Sequence, residues 1–261
     1  YGDPIREFWD LNDRWHEKHL IVDGKTAIEG GMNIANEYAL GGSDALVFSR
    51  GPDAEMGWRD LDVQVEGPVV SDILAGFYQN WKDVGGSAKR NMPVDATTLE
   101  TFPNGDQVRF VKHRPDEDGD DNTKHLHLEA IRSATDSIVI ENAYFLPPSE
   151  LRNALINAAR RGVTVRIMTN SRQTNDMGPV SDAARYFYDD LIAAGAQIFE
   201  KQDATLHSKT MTVDGSFSIV GSVNLNGRSQ WRDSESAVAI TSDSLAQSLN
   251  DRFQQGLDGC I

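Results

Sequence analysis

The stretch His207-Ser-Lys-Thr-Met-Thr-Val-Asp-Gly215 has a second version near the start of the chain, His16-Glu-Lys-His-Leu-Ile-Val-Asp-Gly24. Both versions continue in the same register, so that Asn33 in the first copy stands at the offset of Asn224 in the second. Such self-similarity at a fixed offset predicts an internal duplication.

A further match extends the duplication. Trp58-Arg-Asp-Leu-Asp62 resembles Trp231-Arg-Asp-Ser-Glu235, and the first copy needs a loop insertion to reach it. Residues 41–43 and 50–53 are rich in Gly, Ser and Pro, which is typical of such a loop.

Residues 124–261 predict strands alternating with helices. We predict helices over residues 124–134, 149–161, 181–195 and 243–253, and strands over residues 137–142, 163–169, 196–200 and 236–240. This alternation favours an α/β fold with a mixed, mostly parallel sheet flanked by helices. We therefore expect two similar lobes related by a pseudo-twofold, the first lobe over residues 1–113 and the second over residues 124–261, joined by an acidic linker over residues 114–123.

The first copy lacks the front half that residues 124–206 give to the second. We expect the first lobe to be truncated at its N-terminus, and the chain to be either part of a longer protein or a truncated gene product.

The motif brings suitable groups for phosphate chemistry together. Residues two apart on a strand share a face, so His16 projects with Lys18, and His207 projects with Lys209. An Asp-Gly hairpin turn returns Asn33 and Asn224 toward these groups. Lysine supplies positive charge to phosphate oxygens, asparagine donates a hydrogen bond, and imidazole transfers protons near neutral pH.

Other residues receive supporting roles. Asp23 and Asp214 lie an odd number of residues from their histidines, so we assign them a structural role in the turn. We assign Asp62 and Glu235 to hold the histidine Nδ1–H groups, as the carboxylate does in a catalytic triad. Candidate phosphate or headgroup contacts are Ser222, Arg59 and Arg232, although the two arginines also suit salt bridges to neighbouring acids.

Two such hairpins facing each other predict a two-step reaction. One histidine attacks phosphorus to form a phosphohistidine, and the other protonates the leaving alcohol. The lysines and amides supply the electrostatic stabilisation, so we expect no metal or other cofactor.

On these motifs the sequence resembles the phospholipase D superfamily with its paired HKD motifs, and within it the bacterial cardiolipin synthases. Tyr144-Phe-Leu-Pro147, Arg161-Gly-Val-Thr-Val-Arg166 and Gly221-Ser-Val-Asn-Leu-Asn-Gly-Arg-Ser229 add to the likeness. The resemblance implies one active site between two α/β lobes, with His16 as the nucleophile and His207 as the general acid. It also implies a phosphatidylglycerol-like substrate, an alcohol or phospholipid acceptor, and work at the bacterial inner membrane.

The remaining alternatives use the same residues. A phospholipase D would pass the phosphatidyl group to water, and a nuclease would cleave nucleic acid. The net charge of −15 disfavours nucleic acid as a partner, because an acidic surface repels a polyanion. No apolar run reaches the roughly 18 residues of a membrane span, so we expect membrane association to be peripheral or through an upstream anchor.

Overall fold

The computed structural model describes residues 14–39, 57–87, 96–114, 120–176 and 178–261. Its strands are β1 (Arg14–Trp15), β2 (His19–Val22), β3 (Thr26–Gly30), β4 (Asp62–Glu66), β5 (Gln107–His113), β6 (Ser137–Asn142), β7 (Thr164–Asn170), β8 (Gln197–Lys201), β9 (Lys209–Val213), β10 (Phe217–Gly221) and β11 (Asp233–Thr241). Its α-helices are α1 (Asn36–Ala39), α2 (Val69–Asp83), α3 (Asn122–Ser133), α4 (Ser149–Arg160), α5 (Gly178–Arg185), α6 (Tyr188–Ala193), α7 (Gly227–Trp231) and α8 (Asp243–Gly256).

The strands form two sheets. The larger runs β1-β11-β10-β9-β6-β7-β8, with β5 also paired to β11, and the smaller runs β2-β3-β4. The pairs β6–β7, β7–β8 and β1–β11 are parallel, whereas the pairs β6–β9, β9–β10, β10–β11 and β5–β11 are antiparallel. The predicted mixed α/β fold is confirmed, but the expectation of a mostly parallel sheet is wrong, because antiparallel pairs outnumber parallel ones among the described strands. The pseudo-twofold between lobes stays a prediction.

The core of the larger sheet follows from the hydrophobic pattern of the elements on it. Leu151 and Leu155, four apart on α4, are fully buried, and so are the alternate residues Ile138 and Ile140 of β6. The apolar face of α4 and one face of the larger sheet are therefore buried in the core. Burying each such side chain contributes about 1.5–3 kcal/mol.

One predicted helix in this half is wrong in its detail. The helix expected over residues 181–195 is two helices, α5 and α6, and Ser181 lies inside α5. The Ser181 hydroxyl donates to the carbonyl of Ser171 at 3.2 Å.

Both motif hairpins turn at Asp-Gly. Asp23 and Gly24 have φ of 54° and 65°, and Asp214 and Gly215 have φ of 51° and 65°. Two successive residues with positive φ make a type I′ turn, which matches the twist of the flanking strands. The hairpin β2–β3 therefore has the same turn as β9–β10.

Two strands of the predicted first lobe pair with β11 of the predicted second lobe. β5 pairs antiparallel with β11 from Gln107 to His113, and β1 pairs parallel with Asp233 and Ser234. The lobe boundary at residue 113 stays a prediction.

The predicted linker is structured at both ends. Arg114 is buried and its guanidinium lies 2.6 Å from Asp83. Asn122 begins α3 and Thr123 is buried. Residues 115–119 of the linker lie outside the described residues.

Candidate active site

The two motif histidines are each held by a carboxylate from the other half of the chain. His16 Nδ1 lies 3.0 Å from Glu235 Oε2, and His207 Nδ1 lies 2.7 Å from Asp60 Oδ2. An ionised carboxylate only accepts hydrogen bonds, so each Nδ1 carries the proton and each Nε2 is left for chemistry. The pairing is therefore reciprocal, since the histidine of each copy is bound by a carboxylate of the other copy.

The backbone repeats this exchange. The His16 amide donates to the carbonyl of Ser234 at 2.9 Å, and the His207 amide donates to the carbonyl of Arg59 at 2.7 Å. Each carbonyl belongs to the residue just before the carboxylate that holds the same histidine. Two consecutive residues therefore hold each histidine, the first through its backbone carbonyl and the second through its carboxylate.

The assignment of Asp62 as a histidine partner is wrong. Sheet register pairs Gly30 with Asp62 but Gly221 with Ala237, so Asp60 is the true counterpart of Glu235. The match between the two Trp-Arg-Asp stretches was therefore displaced by two residues. Residues two apart share a face of a strand, so the alternation of side chains does not reveal this error.

Asp62 has a different environment. Its Oδ1 accepts from the backbone amide of Met32 at 3.1 Å, and no contact to either histidine is found among the described residues. Burial raises the pKa of Asp62, against the lowering effect of the Met32 hydrogen bond. Asp62 thus supports the loop that follows β3.

The motif lysines lie beside the histidines. Lys209 is buried, and its Nζ is 2.8 Å from His207 Nδ1 and 3.2 Å from His207 Nε2. Burial lowers the pKa of Lys209 to about 7, against the attraction of Asp60. Burial also lowers the pKa of Lys18, against the attraction of Glu235. A bound phosphate would favour the charged form of both lysines.

The motif asparagines differ in their contacts. Asn33 Nδ2 donates to the Tyr38 hydroxyl at 2.9 Å, and that hydroxyl lies 3.3 Å from His207 Nδ1. Asn224 is buried, and its Oδ1 has no hydrogen-bond partner within the described parts of the chain. Asn33 of the first copy therefore approaches the histidine of the second.

Ser222 does not have the phosphate-donor geometry that we predicted. Its hydroxyl donates to Glu235 Oε2 at 2.5 Å, on the carboxylate that holds His16. The counterpart Gly31 leaves room for Asp60, since a Cβ there would stand 2.6 Å from Asp60 Oδ1. Ser222 is placed to orient Glu235, and its predicted contact with phosphate stays a prediction.

Arg59 faces away from the predicted phosphate site. Its Nη2 donates to Glu141 Oε1 at 2.8 Å and to the carbonyl of Arg252 at 2.5 Å. It thus forms a salt bridge, but to an acid of the larger sheet rather than to a neighbour in sequence. Arg232 is half-buried just after α7, where its amide donates to the carbonyl of Arg228, and its role in headgroup binding stays a prediction.

The motif aspartate of the second copy binds backbone amides and not a histidine. The Asp214 carboxylate accepts from the amides of Thr135, Asp136 and Ser137 at 2.8 to 3.2 Å. Although its limited burial acts to raise it, these hydrogen bonds lower the pKa of Asp214. Asp214 thus ties the β9–β10 turn to the segment before β6, and Asp23 occupies the equivalent turn position.

Residues 127–257 match the family model described as cardiolipin synthase, PLD-like domain. This chain belongs to that family. Probable cardiolipin synthase YwiE of Bacillus subtilis (strain 168) is 31% identical over 95% of this chain and 46% of its own length. Cardiolipin synthase B of Salmonella typhi is 31% identical over 92% of this chain and 55% of its own length. The chain thus spans about half the length of the curated relatives that it matches.

Two solved structures share the fold of this cardiolipin synthase-like chain. Phosphatidylserine synthase of Haemophilus influenzae Rd KW20 superposes with a TM-score of 0.67 at 15% identity, over 95% of this chain and 62% of that one. The phospholipase D family member Nuc of Salmonella typhimurium has a TM-score of 0.50 at 25% identity, over 60% of this chain and 97% of that one. The long helices of the described segments include none that is apolar enough to span a membrane.

Sequence reasoning about this family member missed the rings around His207. The ring centroids of Tyr38, Trp58 and Tyr144 lie 5.3, 5.3 and 6.3 Å from that of His207. Asp60 was also missed, although it stands within the Trp-Arg-Asp match. The aromatic residues lie far apart in sequence, so no spacing pattern could group them.

Proposed function

We propose that this protein is a phosphatidyltransferase of the cardiolipin synthase type, which moves a phosphatidyl group from phosphatidylglycerol to an alcohol through a phosphohistidine. The observation that carries the proposal is the reciprocal pairing of His16 with Glu235 and of His207 with Asp60. A double displacement at phosphorus needs one nucleophile and one acid–base group, both with oriented Nε2 atoms. The family membership supports the choice of a phospholipid substrate.

The first step makes a covalent intermediate on His16. The lone pair of His16 Nε2 forms the N–P bond, and the P–O bond to the glycerol headgroup breaks. The leaving oxygen takes its proton from His207 Nε2. The His16 side chain is 27% exposed whereas that of His207 is 5% exposed, which supports giving the attack on a bulky lipid phosphate to His16.

His207 must be protonated to serve as the acid. Burial lowers the pKa of His207 in the absence of substrate, against the raising effect of its hydrogen bond to Asp60. The negative charge of a bound phosphodiester acts in the same direction as Asp60. Substrate binding therefore helps His207 to hold the proton that it then transfers.

The second step reverses the roles. Neutral His207 takes the proton of the acceptor hydroxyl, the hydroxyl oxygen attacks phosphorus, and the N–P bond to His16 breaks. When the acceptor is the headgroup of a second phosphatidylglycerol, the products are cardiolipin and the glycerol released earlier. Lys18 and Lys209 stabilise the charge on the nonbridging oxygens in both steps.

The test is a product assay on vesicles that contain phosphatidylglycerol. We expect cardiolipin and free glycerol in equal amounts, with no activity in His16→Ala. His125→Ala is the matched control, because His125 is an exposed histidine paired to Asp121 on α3. Phosphatidic acid without cardiolipin would refute the transferase proposal in favour of a hydrolase.

We also propose that the protein works at the bacterial inner membrane, bound peripherally or through an upstream anchor. The proposed lipid substrate supports this location, because phosphatidylglycerol resides in the bilayer. Cosedimentation with phosphatidylglycerol vesicles tests peripheral binding, and a protein that stays in the supernatant at every lipid concentration would contradict it.

A further inference from the structure

A buried polar cluster lies beneath the first motif. His19, inside that motif, has Nδ1 on Glu29 and Nε2 at 3.0 Å from Glu17 Oε2. The side chains of His19, Glu17 and Glu29 are 5%, 2% and 0% exposed. We call these three residues the His19 cluster.

The His19 cluster contacts β11 on both sides of Glu235. The Ser234 hydroxyl donates to Glu17 Oε1, and the Ser236 hydroxyl donates to Glu29 Oε1 at 2.5 Å. Side chains alternate along a strand, so Ser234 and Ser236 face the cluster while Glu235 faces His16. The cluster thus holds the short segment that presents the Glu235 carboxylate.

Burial opposes charge in the cluster, and the ion pairs favour it. Burial raises the pKa of Glu29, against the lowering effect of its hydrogen bond to His19. Burial acts to lower the pKa of His19, but the hydrogen bonds to Glu17 and Glu29 outweigh it and raise the pKa to about 9. Lys112 of β5 places its Nζ 3.5 Å from Glu17 Oε1. A protonated histidine between two buried carboxylates resists displacement, because moving either partner leaves a buried charge unpaired.

The same position in the second half has its own ionic contact. Sheet register makes Ser208 the counterpart of Glu17, and Arg59 the counterpart of Ser234. Arg59 pairs with Glu141 at 2.8 Å, and the Ser208 hydroxyl donates to the same carboxylate at 2.6 Å. The strand segments before both histidine-holding acids are therefore fixed from the face opposite the active site, although by different residues.

We infer that the His19 cluster positions Glu235, and through it the imidazole of His16, for attack on phosphorus. Glu17, His19 and Glu29 are positioning residues in this inference, since their contacts reach His16 only through β11. The inference rests on the proposed function in one respect, namely that His16 acts as the nucleophile.

The test uses Ser236→Ala, which removes one hydrogen bond and leaves every charge of the cluster in place. The matched control is Ser218→Ala on the neighbouring strand β10, where the buried hydroxyl has no hydrogen-bond partner among the described residues. We expect kcat for cardiolipin formation to fall about tenfold in Ser236→Ala with KM unchanged. The reason is that the hydrogen bond from Ser236 to the Glu29 carboxylate fixes the strand segment that orients Glu235. Ser236→Thr keeps the hydroxyl and should restore kcat.

A second measurement separates this inference from the proposed function. The ¹⁵N chemical shifts of His16 report which ring nitrogen carries the proton, whether or not the protein turns over lipid. We expect the proton on Nδ1 in the unmodified protein and in Ser218→Ala, and a mixture of tautomers in Ser236→Ala. Unchanged shifts together with unchanged kcat in Ser236→Ala would overturn the inference. A wild-type protein that makes no cardiolipin, with the tautomer change still present, would refute the function and leave the positioning role standing.

Discussion

The stability that the protein gains from His19 depends on pH. The pKa of this buried imidazole rises from 6.5 to about 9 on folding, because hydrogen bonds to Glu17 and Glu29 outweigh the opposing effect of burial. A group whose pKa is raised in the folded state stabilises fully below its unfolded pKa, and that stabilisation is lost as the pH rises through its folded pKa. The rise corresponds to about 3 kcal/mol, since each pKa unit is about 1.4 kcal/mol.

The perturbation that isolates this contribution is His19→Gln. A comparison of wild-type stability at two pH values would also include a contribution from Lys209. The pKa of Lys209 is lowered to about 7 in the folded protein, so its contribution to the unfolding free energy rises with pH while that of His19 falls. The difference in unfolding free energy between the wild type and His19→Gln cancels the Lys209 contribution. We expect the wild type to be the more stable protein below pH 6.5, and its advantage to shrink by about 3 kcal/mol as the pH passes 9.

The assay is urea-induced unfolding of both proteins, followed by tryptophan fluorescence, at pH values from below 6.5 to above 9. His125→Gln is the control, because His125 is exposed on α3 and bound to Asp121. A difference that stays constant across the whole range would show that folding leaves the pKa of His19 at its unfolded value. The description of the cluster as one that stabilises a protonated histidine would then be wrong.

Three further predictions concern the site and the turn. Asp60→Asn should lower kcat about 10²- to 10⁴-fold through loss of the fixed His207 tautomer, whereas Asp62→Asn should cost far less; equal losses in steady-state assays would contradict the register argument. His16→Ala should give no ³²P-labelled protein from phosphate-labelled lipid, and His207→Ala should still form the phosphoprotein slowly; label trapped on His207 would reverse the assignment. Asp214→Asn should lower the unfolding free energy by about 1–3 kcal/mol with kcat kept, because its carboxylate accepts three backbone amides; a fully folded but inactive variant would give Asp214 a direct role.

Much of the fold could be predicted because the deciding interactions are local. Asp-Gly pairs adopt positive φ readily, so both hairpin turns followed from two residues each. The strands β6, β7 and β8 and the helix α4 followed from hydrophobic spacing. The placement of β5 could not be predicted, because its pairing with β11 depends on contacts between residues far apart in sequence.

Only the part of the site that depends on local sequence could be predicted. The motif repeat singled out both histidines and Glu235, but the partner of His207 was assigned two residues too late. Face periodicity cannot separate Asp60 from Asp62, and only the pairing of Gly30 with Asp62 across the sheet does so. The role of His19 could not be predicted, since one histidine within a motif gives no sign that two distant serines will meet its carboxylate partners.

Each catalytic histidine is held by a carboxylate from the other copy, and this limits the substitutions that the two copies can accept during evolution. Neither copy contains a complete catalytic pair, because His16 depends on Glu235 and His207 depends on Asp60. A substitution that shifts one copy against the other disturbs both histidines at once, even when it lies far from either. Turnover therefore reports whether the two halves are docked, and selection on activity is also selection on the interface between them.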